Sequence, residues 1–143
     1  MESQIQQLRD IEDIKQLKAR HLRLQDLQRW EEWGLVFTND AVIEIPGTDI
    51  VYRGREEIVR NMSAGLVGAR TVHYGNMPEI ELVAESAARG IWSVFVYVEF
   101  AEQYGERAGQ QGYGIHFDEY AKEASEWRIR RTHLELLRAD PLT

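Results

Sequence analysis

No cysteine occurs in the 143 residues. Disulfides, thiol nucleophiles and thiolate metal sites are excluded together. Proline is scarce, and no proline- or glycine-rich linker divides the chain. The expectation is one domain over residues 1–143. No apolar run approaches the roughly 20 residues that a membrane-spanning helix needs. Met1 to Arg9 is polar and mixed in charge, unlike a signal peptide, so the expected location is cytoplasmic. Basic residues are outnumbered, 17 against 24 acidic, for a formal net charge of −7. Nucleic acid is a poor partner for such a surface, because phosphates need basic contacts. Arg128, Arg130 and Arg131 cluster, but an alternating strand splits them between its faces. There is no nucleotide-binding glycine turn, Gly-x-Ser-x-Gly elbow or His-Glu-x-x-His pair. Neither a cofactor nor a metal is expected.

What is present is a globular mixture, with 43% hydrophobic residues, enough for a real core in one domain. Ser3 to Leu27 reads as one long helix, with Ile11, Ile14, Leu17, Leu22 and Leu24 at helical spacing. Gln28 to Phe37 continues as a second short helix, and Asn39-Asp40 signals a turn. Ala41 to Ile45 and Ile50 to Tyr52 read as strands. Gly54 precedes a third helix, Arg55 to Gly65. The rest is strand: Ala69 to Val83, bent near Gly75 to Pro78, then Ala87 to Phe100, Tyr113 to Lys122 and Trp127 to Arg138. Gly105 to Gly112 reads as a hairpin loop. The run at Ile91 to Val98 is apolar on both faces, which predicts that both are covered. Helices followed by long antiparallel strands give an α+β order. A strongly bent sheet around the helices would enclose one pocket.

Four histidines carry most of the possible chemistry. His73 opens a strand just before a glycine and a proline, and an imidazole near its ordinary pKa exchanges protons at neutral pH. The alternative is a hydrogen-bonded core or edge histidine. Parity sets His73, Gly75 and Met77 on one face and Ile80 and Leu82 on the other, unless a bulge reconciles them. Asp26 falls in the helical row Leu22, Asp26, Trp30. Buried there it needs a partner; otherwise it is solvated at a helix end or caps the next helix. His116 alternates with Gly114, Asp118 and Tyr120, and the glycine leaves room for a ligand. A histidine that merely bonds a neighbour is the rival reading. His21 lies on the apolar side of the first helix, roughly 140° from Asp26 on an ideal helix. Tyr52 and Tyr113 could donate phenolic hydrogen bonds or simply pack. Arg131 shares parity with Trp127 and Ile129 and is read as an inward cation. His133 is read as peripheral.

Several blocks resemble the SnoaL-like family of the nuclear transport factor 2-like superfamily. They are Ile11 to Leu17, Asp26, Trp33 to Val42, Tyr52 to Ile58, Thr71 to Gly75, Gly114 to Tyr120 and Trp127 to Ile129. The resemblance implies a cone-shaped α+β barrel with a deep pocket. It also implies elimination of water or HCl by a His–Asp pair without a cofactor, since family members work so. Asp26 and His73 match that pair, and His116 matches a second histidine of one dehydratase member. His21 stands where other members carry a tyrosine or a lysine.

The expectation is therefore a cofactor-independent lyase in which Asp26 orients His73 as general base, with His116 or Tyr52 assisting the leaving group. An isomerase using the same pair, or a non-catalytic binding or assembly module, are the alternatives. The expected pocket is apolar, lined by His21, Trp30, Trp33, Phe37, Met62, Trp92, Tyr113, Phe117 and Arg131. The expected ligand is a small hydrophobic cyclic molecule. A broad apolar sheet face calls for a partner, so a homodimer or homotrimer is expected.

Overall fold

The structure, a computed structural model, describes residues 3–102 and 108–142. Helix α1 spans Gln4–Asp26 and starts on Ser3, whose side chain accepts a hydrogen bond from the Gln6 amide. Its buried positions form one stripe: Asp10, Ile14, Leu17, Lys18, His21, Leu22, Leu24 and Gln25. The helix stops where Gln28 takes a left-handed φ of 55°. The Gln28 side-chain amide then donates to the carbonyls of Leu66 and Ala69. Helix α2, Trp30–Gly34, is shorter than expected. Phe37 already belongs to β1, Phe37–Glu44.

Asn39 and Asp40 do not turn the chain. They lie exposed inside β1, where its pairing with the last strand is irregular between Phe37 and Val42. The Thr38 hydroxyl donates to the Asp40 carboxylate across that irregularity. Strand β2, Val51–Arg53, pairs antiparallel to β1. Gly54, at φ 90°, precedes helix α3, Arg55–Gly65; a side chain would be strained there.

Four long strands complete the sheet: β3 Arg70–Ala84, β4 Ala87–Glu99, β5 Gly109–Glu123 and β6 Glu126–Pro141. The order is β2-β1-β6-β5-β4-β3. The β1–β6 contact is parallel and the others antiparallel, so the sheet is mixed. Gly109 to Gly112 are strand rather than loop, paired with β4 and, from Gln110 on, with β6. Residues 105–107 of the expected loop lie outside the described residues. Ile14, Leu17, Trp33, Phe37, Ile58 and Ile129 form a fully buried core between helices and sheet. This is the α+β arrangement of a bent sheet around N-terminal helices. Among the described residues, no helix is long and apolar enough to cross a membrane.

Two bulges decide which side chains face inward. In β3 the register slips between Asn76 and Glu79, and Met77 takes φ 49°. Thr71, His73 and Gly75 thus share the inner face with Ile80 and Leu82, while Met77 is turned out. In β6 the register slips opposite Glu119 and Tyr120. Trp127 and Ile129 point inward, and after the slip it is Thr132 that is buried. Arg131 is turned outward to Glu44, so it is not an inward cation.

Among the described residues, nothing covers the outer face of β4. Ile91 is 40% exposed, and on the neighbouring strands Tyr74 and Tyr113 are also exposed. The apolar residues on both sides of β4 are satisfied on one side only.

Candidate active site

Between α1, α3 and the inner face of the sheet lies a cavity of about 380 Å³. Its walls are mostly apolar and include Trp33, Tyr52, Met62, Val96 and Leu134. His21, His73 and His116 all reach it, from α1, β3 and β5. A few polar groups in an apolar hollow is the usual composition of a small-molecule site.

Asp26 stands behind His73, at the end of α1. Its Oδ1 is 2.6 Å from the His73 Nδ1 and accepts from the Thr71 hydroxyl at 2.8 Å. Its Oδ2 accepts from the His73 backbone N–H at 2.8 Å. A carboxylate can only accept, so Nδ1 carries the proton and Nε2 keeps its lone pair. Side chains 47 positions apart are joined because α1 ends alongside the start of β3. The His73 side chain is 10% exposed and that of Asp26 21%, with both carboxylate oxygens engaged by these donors.

His116 is held quite differently. Its Nδ1 lies 2.7 Å from the Lys18 Nζ. Lys18 also contacts the Asp118 Oδ2 at 2.7 Å, and both charged side chains are essentially inaccessible. Asp118 further accepts from the hydroxyls of Tyr120 and Thr132. Burial and then the Lys18 charge push the His116 pKa down to about 3. Burial alone would raise the Asp118 carboxyl, but Lys18 and its hydrogen-bond donors outweigh that and lower it. His21 is stacked near His116 at 6.2 Å, with its edge to Phe37. Burial, followed by the Lys18 charge, pushes it well below the usual imidazole range.

These two depressed histidines give an expected pH response. Below about pH 6.5 the unfolded chain takes up protons that the folded chain refuses. For His116 stability therefore falls as pH drops from 6.5 toward 3, by about 1.4 kcal/mol per pH unit; His21 adds a loss of the same sign below pH 6.5. Urea midpoints at pH 7 and pH 5 measure it. Equal midpoints would show that neither imidazole is buried as neutral.

Of the residues expected to line the pocket, His21, Trp33, Tyr52, Met62, His73 and His116 do so. The others do not. Trp30 packs edge-on against Trp33, outside the cavity. Phe37 is fully buried behind His21 and Trp33. Trp92 donates its indole N–H to Tyr120, away from the hollow. Tyr113 and Phe117 have the parity opposite to His116 and lie on the outer face, beside Phe95 and His133. Arg131 is excluded by the β6 bulge. His133 is half exposed beside Glu44, as its peripheral reading had it.

Sequence reasoning missed Lys18, and it treated Asp118 only as a neighbour of His116. The signal was the row Ile14, Lys18, Leu22: a cation in the buried stripe of a helix needs an internal partner. Among the described residues, no group of three or more histidine or acidic side chains is placed to hold a metal ion.

The chain is similar to known proteins over nearly its whole length. The SnoaL-like domain pattern matches residues 6–133. A type 2 hexachlorocyclohexane dehydrochlorinase superposes with a TM-score of 0.85 at 19% identity, covering 99% of this chain and 94% of that one. A scytalone dehydratase candidate from Novosphingobium aromaticivorans gives 0.83 at 19% identity, over 96% and 90%. A Mycobacterium tuberculosis protein of unknown function gives 0.78 at 25% identity, over 96% and 78%.

Proposed function

Because the chain belongs to the SnoaL-like domain family, we propose that it is a cofactor-independent lyase with His73 as general base and Asp26 as its partner. The observation that carries this is the 2.6 Å contact between Asp26 and the His73 Nδ1. It leaves the Nε2 lone pair facing an apolar hollow. The substrate class is a small hydrophobic ring bearing a carbonyl or equivalent group, with a hydroxyl or halide on the β-carbon.

Nε2 takes the proton from the carbon next to the carbonyl. The C–H electron pair becomes the new C=C bond, and the leaving hydroxide or halide departs with its own pair. The proton now on Nε2 returns to the departing oxygen as water, or leaves with the halide as HCl. Asp26 holds the imidazole in place and balances the charge of the imidazolium, as in other His–carboxylate pairs. His116 and Tyr52 supply hydrogen bonds to oxygen atoms of the ligand.

The test is incubation of small β-hydroxy and β-chloro cyclic ketones with the protein in D₂O. Loss of water or HCl supports the lyase. Solvent label entering without loss of mass would replace it by an isomerase that returns the proton to carbon. Neither change, across the panel, would leave a binding module.

We also propose that the outer sheet face is covered by further copies of the chain, as a homodimer or homotrimer. Tyr74, Phe95 and Tyr113 form a row of rings on three neighbouring strands, 6.2 and 5.5 Å apart. Exposed Met77, Ile91 and Phe117 lie on the same side. Sedimentation at micromolar concentration should give a multiple of the chain mass, reduced to a single chain by Tyr113→Glu. A monomeric wild type would refute the proposal.

A further inference from the structure

The second polar cluster beside the cavity reads as a device with a fixed direction. Its logic starts at Trp92, whose indole N–H can only donate. It donates to the Tyr120 hydroxyl at 2.9 Å. Having accepted there, Tyr120 gives its own proton to the Asp118 Oδ2 at 2.8 Å. The Thr132 hydroxyl donates to the other oxygen, Oδ1, at 2.6 Å. Asp118 thus receives two hydroxyl protons and remains the acceptor in both. An ionised Asp118 requires a cation in so dry a place, and Lys18 is the only one in contact with it among the described residues. The Lys18 Nζ sits 6.0 Å from the centre of the Trp92 ring, which also suits an ammonium. An ammonium has protons to give and no lone pair. At 2.7 Å from His116 it can only donate, so the imidazole Nδ1 must accept.

We propose that Lys18 is a positioning residue that fixes His116 as the Nε2–H tautomer, making it a permanent hydrogen-bond donor to an oxygen atom of the ligand. His116 is then unable to serve as a second base. The two imidazoles have opposite backing: a carboxylate behind His73 and an ammonium behind His116. One abstracts a proton while the other stabilises negative charge developing on a carbonyl oxygen, or polarises a leaving oxygen. The groups facing His116 are Lys18, Asp118 and His21, with His73 across the cavity. Its low pKa agrees with this setting. The statement about ligand oxygen rests on the lyase reading; the statement about the tautomer does not.

The test is long-range ¹H–¹⁵N NMR on protein labelled in its histidine rings, with the His116 signals assigned by their loss in His116→Gln. The expected spectrum has a protonated Nε2 and a lone-pair Nδ1, unchanged between about pH 5 and 8. A protonated Nδ1 would overturn the proposal, since Lys18 would then be a neutral amine accepting from the ring. Lys18→Met/Asp118→Asn removes both charges together and guards against loss of the fold. In that variant the two tautomers should become mixed; an unchanged His116 pattern would also overturn the role of Lys18. His73→Ala should leave the pattern as it is. Failure of the lyase reading and failure of the tautomer lock are therefore separable.

Discussion

His73→Ala lowers turnover by about 10²–10⁴-fold, the usual contribution of a positioned general base. The substrate is whichever β-substituted ketone the wild type consumes, and the loss should fall on kcat more than on KM. Asp26→Asn should come close to the same loss by another route. Asp26 accepts three hydrogen bonds, from the Thr71 hydroxyl, the His73 amide and the His73 ring. An amide at that place has one oxygen to accept with, and its NH₂ can only donate. The ring is driven to present a lone pair at Nδ1 and to carry its proton on Nε2, where the base must be free. Such a tautomer reversal in a serine protease costs about 10⁴ in kcat. Thermal midpoints of both variants should be recorded alongside, because unsatisfied donors at Thr71 or His73 cost about 1–3 kcal/mol each. Full turnover in either folded variant would end the proposed mechanism.

Asp118→Ala is expected to be the most destabilising single change in the protein. It strips the counter-ion from a buried ammonium and leaves the hydroxyls of Tyr120 and Thr132 without their acceptor. Breaking a buried pair from one side costs about 3–5 kcal/mol. The whole margin of a domain is about 5–15 kcal/mol. Urea denaturation should show the wild-type midpoint reduced by about a fifth or more. Lys18→Met/Asp118→Asn should lose much less, because no lone charge remains. A single alanine variant costing under about 1 kcal/mol would mean that Lys18 reaches water.

Helix α3 was legible to the residue, and α1 nearly so, because their apolar spacing and the glycine at 54 are local signals. His21, His73 and His116 at one cavity could be anticipated from helix face, strand parity and the resemblance. One source of error is the bulge. Strand parity holds only between bulges, and a bulge depends on the partner strand. In β3 the bend was foreseen from Gly75 and Pro78. In β6 nothing in the local residues announces the slip, so Arg131 was assigned to the wrong face. Tyr113, read as a phenolic donor, and Phe117, read as an apolar wall, both run against the alternation with His116. The Lys18–Asp118 pair spans 100 positions. Its helical half was visible as a misplaced charge, but its partner was not.

The order of strands carries a consequence for biosynthesis. β6 comes last in sequence yet lies in the interior of the sheet, bonded to β1 on one side and β5 on the other. Until it is in place, the β1–β2 pair has no ladder joining it to β3–β5. The nascent chain therefore waits with only the helices holding its two sheet halves together and apolar surface open, the kind of exposure that favours aggregation. The hollow around His73 closes only when the final strand slots between halves made long before it.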